Sequence, residues 1–179
     1  MSKIILNHDE PGMNASSDDL AKVVISRLGL VPRKKGSTDK MHLLLLEFYE
    51  RSKRANREKN PREAVITVEE MGSIAGITRQ TMYDYLKRWL VLDVITKTSF
   101  VGKDNEVIIG YKLNGATLEN AFDKAKTKVV NHLDATSNYI KELQRIVKNE
   151  KLRQTQKEKG PGEDIPAGPA PELAQSENK

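Results

Sequence analysis

The chain has 179 residues, with 30 Lys and Arg against 25 Asp and Glu, a formal charge of +5 and no cysteine. Lack of cysteine excludes disulfides, thiolate metal sites and cysteine nucleophiles, and no apolar run approaches the roughly 20 residues of a membrane helix. The opening MSKIILNHDE has no long apolar core or small-residue cleavage site of a secretory signal, so the expectation is a soluble, cytoplasmic protein.

The net charge is unevenly spread. Glu158 to Lys179 holds five acids and two bases, a net −3, which leaves +8 on everything before it. Arg33 to Arg62 holds ten bases and four acids, and Lys141 to Lys157 six bases and two acids. Basic patches of this kind raise the local concentration of polyanions and suggest a nucleic-acid partner. Solvated helix faces produce the same pattern, so charge does not decide between them.

Residues 1–15 show no periodicity beyond Ile4, Ile5 and Leu6 and read as flexible. Ser16-Ser17-Asp18-Asp19 reads as a helix start, with Leu20, Val23, Val24, Arg27 and Leu28 at helical spacing and Gly29 closing the helix. A basic connector completes residues 16–37. A second helix from Thr38 or Asp39 carries Met41, Leu44, Leu45, Phe48 and Tyr49 on one face, and its basic far end suits a helix C-terminus. Asn60-Pro61 breaks the chain, and Ala64 to Ile66 reads as a short extended piece.

Thr67-Val-Glu-Glu70 is a capping box. The short helix it opens runs to about Ala75, where Gly76 can stop it in a left-handed conformation. Thr78 caps the next helix, with Met82, Leu86, Trp89 and Leu90 inward. After Asp93 the period changes to two. Val94 to Val101 and Glu106 to Leu113, joined by turn residues Gly102 to Asn105, form a β-hairpin.

Thr117 opens a long helix to about Lys157. Leu118, Phe122, Ala125, Val129, His132, Thr136, Tyr139, Leu143 and Ile146 are separated by alternating steps of four and three, the seam of a coiled coil. Leu133, Ile140 and Val147 widen this stripe, which also allows packing against the main domain. From Gly160 the Pro-rich segment has too little apolar matter to offset ordering and reads as disordered. The fold class is mostly α with a small β-hairpin.

Helix, short helix, tight turn, helix, hairpin, long helix is the succession of a winged helix-turn-helix domain. Val68 to Leu86 resembles that family. Gly72 is small where the second helix must approach, Gly76 sits in the turn, and Met71, Ala75, Ile77, Met82 and Leu86 supply a shared core. The string GITRQTMYDYLKRWLVLDVI is similar to the recognition helix and first wing strand of bacterial and archaeal repressors. The resemblance covers residues 38–115. It extends to 157 if the long helix, 116–157, is the dimerisation arm common in that superfamily, with 158–179 an acidic tail.

The resemblance implies a homodimeric transcription regulator, nucleoid-associated, that binds double-stranded DNA sequence-specifically. Helix 78–92 would enter the major groove, and the 94–113 wing would touch backbone or minor groove. First-turn side chains of such a helix meet base edges. Arg79 suits guanine and Gln80 adenine, Thr78 and Thr81 stand beside them, and Tyr83 and Lys87 share the outward face with Asp84. Lys97 and Lys103 are the wing contacts. Trp89 and Tyr85 read as core, and His132 as a polar group at an interface. Leu118, Phe122, Val129, Tyr139, Leu143 and Ile146 are the dimerisation residues.

A plasmid partition or replication adaptor, or a chromatin-architectural protein, would use the same fold. The acidic tail is a candidate docking segment for a protein partner. Enzymatic activity is not expected, because the sequence shows no Gly-rich phosphate loop, no metal-ligand cluster and no Ser-His-Asp motif. His8, His42 and His132 lie in separate elements. No cofactor and no metal are expected.

Overall fold

Residues 4–31, 40–102 and 104–158 are described by the computed structural model. In chain order they form α1 (Ser17–Arg27), α2 (Met41–Glu58), a 3-10 turn (Pro61–Ala64), α3 (Val68–Ala75), α4 (Arg79–Val91), β1 (Ile95–Val101), β2 (Val107–Leu113) and α5 (Leu118–Glu158). The fold is therefore mostly helical with one two-stranded antiparallel hairpin. No helix among the described residues is long and apolar enough to cross a membrane. The basic connector at 32–37, the expected start of α2 at Thr38 or Asp39, Lys103 and the tail from 159 lie outside the described residues.

The backbone divides into two units, Met1–Leu133 and Asp134–Lys179. The first is wider than the 38–115 domain read from the sequence, because α1 and the first turns of α5 pack on the same core. Ala21 and Ile25 are the buried positions of α1. On α5 they are Ala121 and Ala125, whose short side chains allow close approach, with Leu118 and Val129 packed beside them. Leu20 and Val24, apolar neighbours on α1, stay exposed at 47% and 40%. The apolar stripe of α1 is wider than the face its partner α2 covers.

The N-terminal segment read as flexible is tied to the end of α1. The Asn7 amide donates to the Arg27 carbonyl at 3.0 Å, the Asn7 side chain to the Ser26 carbonyl at 2.8 Å, and Arg27 to the Asp9 carbonyl at 2.7 Å. The first two of these bonds occupy carbonyls at the end of α1. Composition gives no sign of them.

On α2, Met41, Leu44, Leu45 and Phe48 are buried as the spacing predicts. Phe48 meets the fully buried Trp89 of α4 at 6.1 Å between ring centroids, so Trp89 is a core residue. Arg51 joins three elements. It donates to Glu47 at 2.8 Å, to the Val65 carbonyl at 3.0 Å and to Glu70 at 3.1 Å.

The piece read as extended at 64–66 begins instead as the 3-10 turn, with Pro61 at its start and the Asn60 side chain accepting from the Arg62 amide at 3.2 Å. Only Ile66 is extended in the ladder sense. It forms one antiparallel bridge to Tyr111, with both amides bonded at 2.8 Å. The hairpin registers Ile95 opposite Leu113 and Val101 opposite Val107.

The α3–α4 pair follows its capping signals. The Thr67 side chain accepts from the Glu70 amide and Glu70 accepts from the Thr67 amide at 2.8 Å. Gly76 ends α3 at φ +69°, and Thr78 caps α4. A Cβ on Gly72 would lie 2.7 Å from the Ile77 carbonyl oxygen, so the missing side chain sets how closely the turn folds over α3. Met71, Ala75, Met82 and Leu86 are buried between the helices and Ile77 is partly buried.

Two outcomes test this packing. Gly72→Ala should lower the urea unfolding free energy by about 1–3 kcal/mol through overpacking. Helix propensity by itself would favour alanine by about 1 kcal/mol, so a net loss reports the clash. Gly12, with nothing within 4 Å of a built Cβ, is the neutral control. The second outcome concerns Glu70. Burial opposes its ionisation, but the Thr67 amide and Arg51 outweigh that and hold the carboxyl below its ordinary value. Such a group stabilises the fold above its unfolded pKa, and the contribution is lost as pH falls through the folded one. Urea midpoints should therefore drop between about pH 5 and pH 3, less steeply in Glu70→Gln.

Candidate nucleic-acid interface

The N-terminus of α4 follows α3 after only three residues, Gly76, Ile77 and Thr78. Its inner side is fixed by Met82, Leu86 and Trp89, so by helical spacing Arg79, Gln80, Tyr83, Asp84 and Lys87 face outward. All five are exposed. Arg88, at the edge of this face, donates to the carbonyls of Gly29 at 3.4 Å and Val31 at 3.1 Å and fastens α4 to the end of α1.

The threonines at the helix start serve the cap. Thr78 Oγ1 accepts from the Thr81 amide at 3.3 Å and lies 2.9 Å from Thr81 Oγ1. Thr81 is half-buried and has its hydroxyl turned to the cap, which makes it a positioning group more than an outward donor.

Arg79 is the most constrained exposed cation. Its guanidinium pairs with Glu69 of α3 at 3.0 Å, donates to the Tyr83 hydroxyl at 3.3 Å, and lies 5.7 Å from the Tyr83 ring centroid. The Tyr83 hydrogen bond, then Glu69, raises its pKa. The side chain is still 63% exposed. Lys87 pairs with Asp84 at 3.0 Å.

The hairpin stands beside this surface. Lys97 lies opposite Tyr111 in the ladder, so the two side chains share a sheet face. Burial, and then the nearby Tyr83, raise the pKa of the Tyr111 phenol. Lys97 thus shares its hairpin face with Tyr111, whose phenol lies within electrostatic reach of Tyr83. Lys103 falls outside the described residues.

The dimerisation residues divide into two groups. Leu118 and Val129 are partly buried against the chain's own core. Their neighbours Ala121 and Ala125 draw that side of α5 inward. Phe122, Tyr139, Leu143 and Ile146 are exposed, Tyr139 at 75%. Phe122 also borders an apolar groove of about 710 Å3 between α1 and the first turns of α5, with Leu6, Leu20 and Val24 on its walls. His132 is exposed. No group of three or more His, Cys, Asp or Glu that could hold a metal occurs among the described residues.

Three residues that hold or border this surface escape sequence reading. Glu69 looks like an ordinary acid in a first helical turn, and nothing local connects it to Arg79 across the turn. Arg51 reads as one of several basic residues at the end of α2. Arg88 bonds carbonyls 57 and 59 positions away. Each acts between elements, where periodicity carries no signal. No protein-family model, curated protein or solved structure matches this chain.

Proposed function

We propose that the chain is a sequence-specific double-stranded DNA-binding protein of the winged helix-turn-helix type, acting as a homodimeric transcription regulator. The observation that carries this reading is the capped start of α4. It exposes Arg79, Gln80 and Tyr83 together on a helix held from behind by α3 and α2, with Lys97 on the hairpin face of Tyr111. In such a domain α4 enters the major groove, Arg79 donates both guanidinium nitrogens to a guanine edge, Gln80 meets adenine, and Lys97 meets the backbone. Tyr83 packs on sugar or on a thymine methyl group.

The carboxylates on this face favour selective binding over the architectural alternative. Glu69 and Asp84 are exposed beside Arg79 and Lys87. They reduce the attraction of any duplex, whereas a protein that coats DNA without preference depends on unopposed cations. Any DNA contact of Arg79 must first replace its pair with Glu69.

The dimer rests on α5. Beyond residue 133 its apolar side chains Tyr139, Ile140, Leu143, Ile146, Val147 and Leu152 are all at least 40% exposed. The first five recur at steps of three, four and seven, the pattern that pairs helices by knobs-into-holes packing, and Leu152 stands outside that pattern. Pairing would place two α4 helices on half-sites about 34–36 Å apart and favour an inverted repeat.

Selection of bound duplexes from a random pool, followed by titration, tests the DNA reading. Wild type should enrich a discrete motif with affinity falling steeply as salt rises. Arg79→Ala should remove roughly 1–3 kcal/mol of discrimination at one base pair. An unchanged ranking of competing duplexes removes Arg79 from base reading, and an unenriched pool removes sequence specificity. Sedimentation tests the dimer. Leu143→Glu with Ile146→Glu should convert a dimeric wild type to monomer while leaving the near-UV circular dichroism of the buried Trp89 unchanged. A variant that sediments as wild type places the interface elsewhere.

A further inference from the structure

A second concavity, of about 470 Å3, lies between the C-terminal half of α2, the base of the hairpin and the entry to α5. Lys59, Lys112 and Lys124 line it, and no carboxylate does. None of these three amines belongs to an ion pair among the described residues. Three cations around one hollow repel each other unless an anion sits between them.

The polar groups of the pocket are arranged to receive one. Lys124 Nζ is held by Asn114 Oδ1 at 2.9 Å, and Asn114 is itself held by the Asp93 carbonyl at 2.9 Å. Ser52, only 6% exposed, also lines the pocket. Its hydroxyl reaches the Gly115 and Ala116 carbonyls at 3.5 and 3.4 Å, well beyond the roughly 2.7–2.8 Å of a good O–H···O bond. Asn56 donates to the Ala116 carbonyl at 3.4 Å. Both donors can turn to a stronger acceptor at little loss. Lys59 occupies the left-handed cap of α2 at φ +52°, a position where glycine is the less strained residue.

The pocket is separate from the surface around Arg79. Lys112 lies opposite Thr96, one step along the ladder from the Lys97–Tyr111 pair. Alternation therefore sends Lys112 to the other face of the hairpin from Lys97. An occupant of this hollow does not compete with a duplex lying along α4.

We propose that this pocket binds a small phosphate-bearing molecule of about mononucleotide size. Compact lysine charges suit tetrahedral phosphate oxygens, and three of them exceed what one carboxylate needs. The volume falls within the roughly 300–1,000 Å3 of small-ligand sites. Pro61, Ala64 and Leu113 supply an apolar wall for the organic part. The site is independent of the DNA reading and would stand if that reading failed.

Inorganic pyrophosphate is the probe. Titrated into the full chain and followed by amide NMR, it should give saturable shifts at Ser52, Asn56, Lys112 and Asn114. Lys112→Gln with Lys124→Gln should weaken binding at least tenfold, and exposed Lys126→Gln should stay within twofold of wild type. Far-UV circular dichroism checks that the double variant folds, and Lys112→Gln by itself replaces it if it does not. Non-saturating shifts, or an equal loss in Lys126→Gln, overturn the site. A final arm repeats the titration with the chain saturated by its best duplex. Pyrophosphate should still bind, and its exclusion would assign the lysines to the DNA backbone and overturn the small-ligand site.

Discussion

The aim of every exposed side chain on α4 depends on how closely that helix is held, and Gly72 sets the distance. A Cβ there would stand 2.7 Å from the Ile77 carbonyl oxygen. Because the turn can lie directly on α3, Thr78 starts α4 only three residues after α3 ends, and Met82, Leu86 and Trp89 all reach the core. Trp89 then meets Phe48 of α2, and Arg88 ties the far end of α4 to the carbonyls after α1. With one side fixed by packing and both ends fixed by hydrogen bonds, the outward side chains inherit defined directions. A larger residue at 72, whose Cβ would stand 3.7 Å from the Arg79 backbone nitrogen, would move Arg79 and Tyr83 together.

Local signals were enough to read α3, α4 and the hairpin. A capping box, a glycine at a left-handed stop and a change of period from 3.6 to 2 are each written within a few residues. The exposed face of α4 was legible for the same reason, since the positions left over from Met82, Leu86 and Trp89 must point outward. What remained hidden lies between elements. The apolar stripe on α1 could have presented Leu20 and Val24 or Ala21 and Ile25, and the choice was made by α2. Leu118 and Val129 fit a coiled-coil seam by spacing, but two alanines beside them allow the same helix to dock on its own core. Glu69 is ten residues from Arg79 and meets it only because the turn folds back.

The hairpin divides the charged surface in two. Its alternation places Lys97 with Tyr111 on the side of Tyr83, and Lys112 with Thr96 on the other. The net charge of +5 therefore describes neither side. On the α4 side, Arg79 and Lys87 are matched by Glu69 and Asp84. Lys59, Lys112 and Lys124 belong to no ion pair among the described residues. A purely electrostatic DNA contact would be strongest where cations are unopposed, yet the residues suited to reading bases stand where they are opposed.

This contrast bears on how the proposed regulator would select its site. Arg79 already has an acceptor in Glu69 and a second in Tyr83, so a duplex must replace existing bonds before it gains any. Phosphate oxygens can accept two guanidinium donors at every position along DNA, whereas among the base edges of the major groove a pair of acceptors belongs to guanine. The exchange would carry sequence information only where Arg79 reaches a base edge. Glu69 would lower affinity for right and wrong sequences alike, and specificity, which is their difference, would come from the guanine contact itself. Lys97 has no carboxylate in the ion pairs described here and supplies attraction without selection. On this reading, selection comes from a paired arginine and attraction from an unpaired lysine.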